Sequence, residues 1–89
     1  MKKISGIYSI TNLVNNKKYI GQSINIHDRW TRHKYQLNTN SHDNIVLQRA
    51  WNKYGKNSFK FEIILECIKS QLKLNEKIQV EKIAVSKKI

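Results

Sequence analysis

Two tyrosines and an arginine are the residues of this chain whose types suit chemistry on a phosphate ester. Tyr8 and Tyr19 stand in two short β-prone stretches, 6–10 and 19–23, and Arg29 follows soon after them. A phenol accepts or relays a proton, and the planar guanidinium of arginine matches phosphate oxygens. A basic cleft would lower the pKa of such a phenol, because positive charge favours phenolate.

The polar segment between the two stretches predicts a β-hairpin. Asn15–Lys18 is turn-prone and is flanked by β-branched and aromatic residues, so we expect two strands of about six residues. A loop with an even number of residues places Tyr8 and Tyr19 on one face of the sheet. Gly6 and Gly21 would then let a ligand approach closely beside the phenols. For any two tyrosines taken alone, the alternative is a pair of half-buried structural side chains.

Two helices are expected after the hairpin. The first begins at Ile26 behind the capping residue Asn25, and the second runs from a cap at Ser41 to Tyr54 and ends at Gly55 in a left-handed conformation. Both tryptophans are assigned to the core. The apolar sides comprise Ile26, Trp30, His33 and Leu37 in the first helix and Ile45, Leu47, Ala50, Trp51 and Tyr54 in the second, and the polar side of the second comprises Gln48, Arg49, Asn52 and Lys53.

A third strand is predicted over residues 58–66, where Phe59, Phe61, Ile63 and Leu65 alternate with mainly polar residues. Residues 70–88 have a helical composition. The predicted fold is therefore a small α/β sandwich, a three-stranded antiparallel sheet flanked by helices in the order β-β-α-α-β-α. The length of 89 residues is that of a single domain over 1–89.

Charge is the strongest signal in the composition. Lys and Arg number 17 against 6 Asp and Glu, which gives a formal net charge of +11. So large an excess attracts polyanions, nucleic acid first among them, although a lysine-rich surface without a partner is the alternative. Cys67 is the single cysteine, so an internal disulfide or a cysteine-based zinc site is excluded. The absence of a long apolar run predicts no membrane partner and a cytoplasmic protein.

The two β-prone stretches contain short sequence motifs that resemble those of a known family. Gly6-Ile7-Tyr8 and Tyr19-Ile20-Gly21 resemble the paired tripeptides of the GIY-YIG nucleases, and the resemblance extends over roughly residues 5–66. It is nearest to the catalytic modules of phage-type homing endonucleases and implies a divalent-metal-dependent DNA endonuclease domain. The downstream matches are Arg29-Trp30, Arg32-His33, Leu47-Gln48-Arg49-Ala50 and Asn52-Lys53-Tyr54-Gly55.

The resemblance implies roles for individual residues. It gives general-base or proton-relay duty to Tyr8, supporting hydrogen bonds to Tyr19, and contact with the phosphate in the transition state to Arg29. His33 matches a position that assists near the cleft, and His42 matches another polar position. Without the resemblance, Arg29 would be a solvated helix charge and His33 a histidine at the edge of the core. Contact with the nucleic acid is assigned to Lys18, Arg32, His42, Arg49 and Lys53.

The resemblance further implies a glutamate on the last helix that binds Mg²⁺, with Mn²⁺ as the substitute. In the direct register Ile78 occupies the ligand position, and isoleucine cannot bind a metal. Shifting the register by two residues places Glu76 there, on the same helix side as Leu72. Glu76 is the preferred ligand, Glu81 is the reserve, and the lack of a competent ligand is the third possibility. The expected result is a single-metal site on the concave face of the sheet.

Two further functions and the partners complete the expectations. The first alternative is a catalytically impaired relative that binds nucleic acid without cutting it, and the second is a basic protein-interaction module. No separate DNA-binding motif follows, so we expect weak, salt-sensitive binding, with another DNA-binding domain or a second copy of the chain as partner. The chain ends at Ile89. The explanations considered are a truncated domain, a frameshifted remnant and a domain cut from a larger protein.

Overall fold

The structure, a computed structural model, describes residues 3–83 of the chain. The order of elements is the predicted β-β-α-α-β-α, and short 3₁₀ turns precede the third strand and the third helix. The part of the last predicted helix beyond residue 83 lies outside the described residues. The strands and helices are β1 Gly6–Asn12, β2 Lys18–Ser23, α1 Ile26–Asn38, α2 Ile45–Tyr54, β3 Phe59–Glu66 and α3 Leu72–Ile83.

The three strands form an antiparallel sheet in the order β2-β1-β3. Strand β1 is central, and all of its residues are buried, so both faces of the sheet are covered there. Tyr8 pairs with Gly21, and Ile10 pairs with Tyr19. Because paired residues point to the same face, Tyr8 and Tyr19 share one face, which confirms the hairpin prediction.

A β-bulge interrupts the predicted alternation of β3. Tyr8 of β1 pairs with Ile63, whereas the preceding Ile7 pairs with Leu65, so Ile64 is the extra residue. Because of the extra residue, the side chains beyond it point to the opposite face of the sheet from the one that strict alternation predicts. The expectation that Leu65 shares a face with Phe59 and Phe61 is therefore wrong, and the periodic pattern holds for Phe59 through Ile63.

Helix α1 matches its prediction closely. It begins at Ile26, and the Oδ1 atom of the preceding Asn25 accepts a hydrogen bond of 3.3 Å from the main-chain N–H of Asp28. An asparagine in this place satisfies one of the N–H groups that have no partner in the first turn. The helix buries Ile26, His33 and Leu37, as its spacing predicted.

Helix α2 begins later than predicted, at Ile45 rather than after a cap at Ser41. The main-chain N–H of Ser41 donates 2.8 Å to the carbonyl of Gln36, so Ser41 closes the turn that follows α1. Asn44 is the actual cap, because its Oδ1 accepts a hydrogen bond of 3.0 Å from Leu47 N–H. The four residues from 41 to 44 are thereby free to form a loop.

The two ends of α2 also show where residue periodicity succeeds and fails. Gly55 ends the helix with a positive φ of 86°, as predicted, and its N–H donates 2.9 Å to Trp51 O. Ile45, expected on the apolar side, is 59% exposed, and Gln48, expected in solvent, is 6% exposed. Gln48 tolerates burial because its amide has hydrogen-bond partners in place of water.

The core lies between the face of the sheet that carries Tyr8 and the helices α1 and α2. Trp51 belongs to it and Trp30 packs against it, as predicted for both. Cys67 is half-buried, which matches the expectation of a small packing residue. Among residues 3–83 no helix is both long enough and apolar enough to cross a bilayer. The buried members of the core are Tyr8, Ile10, Ile26, Leu37, Leu47, Trp51 and Phe59.

Candidate active site

A chain of hydrogen bonds links a tyrosine of the central strand to two histidines. The Tyr8 Oη atom lies 2.6 Å from His33 Nε2, and His33 Nδ1 lies 2.7 Å from His42 Nε2. The chain ends on the main chain, where Asn44 N–H donates 3.0 Å to His42 Nδ1. β1, α1 and the loop before α2 each supply one member. Elements distant in sequence are thus joined by polar contacts at one point.

Gly21 provides the space that the Tyr8 ring occupies. A Cβ atom built at Gly21 would lie 2.4 Å from both Cζ and Oη of Tyr8. Tyr8 is directly opposite Gly21 in the β1–β2 register, so its ring lies across the neighbouring strand. The expectation that Gly21 lets a ligand approach is therefore wrong. The space beside this glycine is filled by the tyrosine itself.

Gly6 serves a different close approach. A Cβ atom there would lie 2.0 Å from the carbonyl oxygen of Leu65 and 2.9 Å from Cα of Glu66. The main chain of β3 passes against Gly6 just beyond the bulge at Ile64. This glycine also makes room for the protein rather than for a ligand. The close approach sets the position of the strand end from which Tyr8 projects.

Tyr19 completes an aromatic cluster around the two histidines. Its ring centroid lies 5.4 Å from that of His33 and 6.3 Å from that of His42, with both pairs edge to face. Trp30 stands edge-on to Tyr8 at 6.3 Å. Edge-to-face packing at these distances fixes ring orientation. The phenols of Tyr8 and Tyr19 are therefore held on one face of the sheet, as the hairpin pattern predicted.

The pKa of Tyr8 does not follow the prediction. Burial, with a smaller contribution from the charge of Tyr19, outweighs the lowering by the Arg29 guanidinium and raises the pKa of Tyr8 to about 12. Burial also raises the pKa of Tyr19, against the lowering effect of Arg29. The expectation of a phenol whose pKa a basic cleft lowers is wrong, because desolvation of the phenolate exceeds the attraction of the nearby cation. At neutral pH both phenols carry their protons.

The two histidines are neutral for the same physical reason. Burial lowers the pKa of His33 to about 4, with the charges of His42 and Arg29 acting in the same direction. Burial is also the main cause that lowers the pKa of His42. His33 is 3% exposed, so an imidazolium there would lose nearly all its hydration. Each ring therefore carries one proton at neutral pH and offers one donor and one acceptor.

Arg29 lies on the exposed side of α1, one turn before His33. Its guanidinium acts on the pKa of both phenols and of both histidines, so its positive charge lies next to the whole cluster. An exposed arginine beside two protonated phenols can meet an anion from solvent. The structure thus brings together the residues predicted for the chemical step, Tyr8, Tyr19, Arg29, His33 and His42.

Glu76 is the carboxylate of α3 whose charge reaches the cluster. It raises the pKa of both Tyr8 and Tyr19, and it is half-buried. Ile78, the residue of the direct register, is 37% exposed, and Glu81 is exposed. Leu72 is buried and lies one turn before Glu76, as the predicted helix side requires. The described residues contain no group of three or more potential metal ligands, so Glu76 belongs to no such cluster there, and Asp43 is a second carboxylate whose charge raises the pKa of Tyr19.

A family comparison decides the class of the domain. A sequence profile of the GIY-YIG catalytic domain matches residues 4–88. The chain belongs to the GIY-YIG family. The resemblance inferred from the two tripeptides is confirmed, and the tripeptides themselves lie on β1 and β2 of the described fold.

The chain is also similar to part of two larger curated proteins. It is similar to intron-associated endonuclease 1 of Enterobacteria phage T4, with 45% identity over 62 residues, 70% of this chain and 25% of that protein. It is also similar to a probable intron-encoded endonuclease 1 of Neurospora crassa, with 41% identity over 68% of this chain and 19% of that protein. The chain thus spans 25% of the length of the first relative and 19% of the second.

Solved structures confirm the GIY-YIG fold. The catalytic domain of the homing endonuclease I-TevI superimposes with a TM-score of 0.84 at 33% identity, covering 92% of this chain and 90% of that one. A glutamate-to-alanine mutant of the same catalytic domain superimposes with a TM-score of 0.86 at 32% identity, covering 97% and 92%. Both matches span nearly the full sheet and its helices.

The cationic residues predicted for nucleic-acid contact do not form one cluster. Lys18 is half-buried at the start of β2, and Arg32 is exposed on α1 with its Nε 3.7 Å from an Asp28 oxygen. Arg49 and Lys53 lie one turn apart on α2 and line a groove of about 190 Å³ beside the hairpin tip. Asn12 also lines this groove, and it follows Tyr8 by four residues of strand, roughly 13 Å.

The sequence did not indicate which residues hold the loop at 41–44, which carries His42. The buried Gln48 accepts a hydrogen bond of 3.0 Å from His42 N–H, and its Nε2 donates 3.0 Å to Leu37 O. Asn44 caps α2 and supplies the N–H that meets His42. The only available signal was the match of Leu47-Gln48-Arg49-Ala50 to the family, which gave no role to the glutamine. Its amide ties the end of α1 to the loop before α2.

Proposed function

We propose that this chain is the catalytic domain of a divalent-metal-dependent DNA endonuclease, which hydrolyses phosphodiester bonds. The observation that carries the proposal is the grouping of Arg29 and His33 around Tyr8, with the charge of the Glu76 carboxylate also acting on that phenol. The family and the two relatives, both named as endonucleases, support it. No observation on residues 3–83 favours the impaired, binding-only alternative.

The roles of the side chains follow from their charge and position. Arg29 is exposed and cationic, so it binds the non-bridging oxygens of the phosphate and stabilises the negative charge that grows in the transition state. Tyr8 and Tyr19 carry protons at neutral pH, so in the resting state they orient a water or a phosphate oxygen by hydrogen bonds. Tyr8 then relays a proton, and His33 holds its ring in place at 2.6 Å.

The Glu76 carboxylate fits a hard divalent cation of the Mg²⁺ type. Such an ion binds through one or two carboxylates and substrate phosphates while it keeps several waters, so a cage of protein ligands is not required. Glu76 would hold the cation, since the charge of its carboxylate acts on both phenols and raises their pKa values. When bound, the cation would neutralise phosphate charge and lower the pKa of a coordinated water. Mg²⁺ is the proposed ion and Mn²⁺ its substitute.

DNA contact extends from the cluster toward the basic side of α2. We assign it to Lys18, Arg32, His42, Arg49 and Lys53, of which Arg49 and Lys53 line the groove beside the hairpin tip. These residues are suited to phosphates rather than bases, so binding is weak and falls steeply with salt. Site selection then belongs to another DNA-binding domain, and a double-strand break requires a second copy of the chain or two successive nicks. The proposed location is the cytoplasm.

The test is the nicking of supercoiled plasmid at low salt with Mg²⁺ or Mn²⁺. Tyr8→Phe, Arg29→Ala and Glu76→Ala are each expected to lower the rate by at least a hundredfold, the usual range for groups that stabilise or transfer charge in a transition state. Glu81→Ala is the matched control, because it removes an exposed carboxylate from the same helix. A parent chain that binds DNA but never cuts it would contradict the proposal.

A binding measurement tests the metal site apart from cleavage. Mg²⁺ stabilises any folded state that binds it, so the parent chain is expected to show a Tm that rises with Mg²⁺ concentration. The rise should disappear in Glu76→Ala and persist in Glu81→Ala. Loss in Glu81→Ala instead would move the ligand to the reserve position. Ile78→Glu adds a carboxylate at the direct register, and a new gain of Mg²⁺ stabilisation there would favour that register.

A further inference from the structure

The hydrogen-bond chain that ends at Tyr8 has only one possible direction. Asn44 is a main-chain donor, and its N–H points at His42 Nδ1 across 3.0 Å. A main-chain amide cannot accept, so His42 Nδ1 must offer its lone pair and carry no proton. A neutral imidazole bears its single proton on the other nitrogen. The His42 proton is therefore on Nε2.

The same reasoning passes to the next ring. His42 Nε2–H faces His33 Nδ1 at 2.7 Å, so His33 Nδ1 accepts and its own proton is on Nε2. The two ring planes are inclined by 20° with centroids 4.9 Å apart, which suits a hydrogen bond lying in the planes of both rings. His33 Nε2–H then faces Tyr8 Oη at 2.6 Å. The phenol oxygen is the acceptor of the last bond.

We propose that His42 is a positioning residue that fixes the tautomer of His33 and thereby makes Tyr8 accept a hydrogen bond from His33. Tyr8 keeps its own hydroxyl hydrogen available for donation to a water or a phosphate oxygen. In this state His33 is a donor to the phenol and is not the group that receives its proton. The inference rests on the proposed nuclease function and adds the direction of the proton network to it.

The contacts of the loop at 41–44 exclude the reverse direction, in which His33 donates to His42. For His33 Nδ1–H to donate, His42 would have to accept on Nε2 while Asn44 N–H still occupied Nδ1, which leaves the neutral ring without a nitrogen for its proton. Turning the His42 ring aside would break both of its ring hydrogen bonds, and the main chain of the loop is also held in place. Gln48 Oε1 holds that main chain by a bond of 3.0 Å from His42 N–H. The Gln48 side chain is itself buried and bound to Leu37 O at 3.0 Å.

The test reads the tautomers directly, without requiring activity. The chain has three histidines, so long-range ¹H–¹⁵N spectra of the imidazole rings of labelled protein at pH 7.5 contain three spin systems. His27→Gln, which alters an exposed histidine, assigns one of them and serves as the control. His33 and His42 are each expected as a single tautomer protonated at Nε2. His33 protonated at Nδ1 in the parent chain would overturn the proposal.

Two variants of His42 test its role. His42→Leu removes the donor, so His33 is expected to become a mixture of tautomers and nicking to fall by roughly tenfold to a hundredfold, the range found for residues that orient a functional histidine. His42→Gln retains an amide N–H near the Nε2 position, so it should recover part of the single His33 tautomer and part of the nicking rate. An unchanged His33 tautomer in folded His42→Leu would refute the role of His42. Should that variant fail to fold, the spectrum of the parent chain decides.

Failure of this inference is distinguishable from failure of the proposed function. Predicted tautomers in a chain that never cuts plasmid would leave the direction of the network intact and remove the nuclease activity. Cleavage by a chain in which His33 is protonated at Nδ1 would do the opposite. Tyr8→Phe supplies a further check, because it removes the acceptor for His33 Nε2–H without altering the two bonds that fix its tautomer. His33 should stay protonated at Nε2 in that variant.

Discussion

Gly21→Ala should destabilise the domain by an amount that depends on Tyr8. The new methyl would lie 2.4 Å from Tyr8 Cζ and Oη, well inside van der Waals contact. The ring has little room to yield, since His33 holds its oxygen at 2.6 Å and Trp30 stands edge-on to it. Overpacking of this kind costs about 1–3 kcal/mol, and we place this case near the upper end.

The backbone term has the opposite sign. Glycine inside a strand is less favourable than alanine by roughly 0.5–1 kcal/mol, so the net loss of unfolding free energy for Gly21→Ala is about 2 kcal/mol. In a Tyr8→Leu background the ring end is absent, and only the backbone gain remains. Gly21→Ala should then be neutral or slightly stabilising, which corresponds to a coupling of about 2–3 kcal/mol between the two positions.

Urea denaturation followed by tryptophan fluorescence measures all four members of this cycle. Gly6→Ala is the matched comparison, because its new methyl would meet the Leu65 carbonyl oxygen at 2.0 Å, a main-chain atom that no side-chain truncation removes. Leu65→Ala should therefore fail to rescue Gly6→Ala. Additive losses for Gly21→Ala and Tyr8→Leu, within about 0.5 kcal/mol, would show that the glycine does not make room for the ring.

Three shorter predictions follow from individual contacts. Folding lowers the pKa of His33 from 6.5 to about 4, so between these pH values the unfolded chain binds a proton at this residue and the folded chain does not. The free energy of unfolding should therefore keep its full value above pH 6.5 and fall by about 3 kcal/mol toward pH 4. His33→Gln should reduce this pH dependence, as measured by urea denaturation at a series of pH values. Lys53→Ala should lower the slope of log affinity for DNA against log salt by about 1, and an unchanged slope would remove Lys53 from the interface. Asn44→Ala and Asn25→Ala each delete a helix cap and should cost about 1 kcal/mol in thermal unfolding, whereas losses near zero would contradict the capping assignment.

The sequence predicted those parts of the fold that local rules determine. The hairpin placed Tyr8 and Tyr19 on one face because strand period and loop parity suffice for that result. Helix α1 followed from its cap and spacing, which are properties of a few consecutive residues. The bulge at Ile64 was not predictable in this way, since it depends on how β3 pairs with the distant β1. One extra residue there reversed the face of Leu65.

The sequence predicted that Tyr8, Tyr19 and Arg29 would lie close together, but it predicted neither their electrostatics nor the residues that support them. The tripeptides identified Tyr8, yet net charge suggested a lowered pKa where burial raises it to about 12. Burial depends on the packing of α1 and α2 over the sheet, and periodicity gives no measure of it. Gln48 was assigned to solvent because its position on α2 falls among polar residues. Its partners, Leu37 O and His42 N–H, come from elements that the helix pattern does not contain.

The sequence left open which residue of the last helix occupies the ligand position, because the apolar residues of α3 do not mark one buried side. Leu72 is the buried anchor of α3 among the side chains described there, whereas Leu74 is 62% exposed. Helix α3 lies against β2 and β1. A cation that needs α3 docked on these strands binds with an affinity reduced by the docked fraction of the molecules. Under the proposed function, cation binding at Glu76 and the docking of α3 are therefore parts of one equilibrium, and a substitution that weakens the Leu72 contact should weaken that binding without touching the carboxylate.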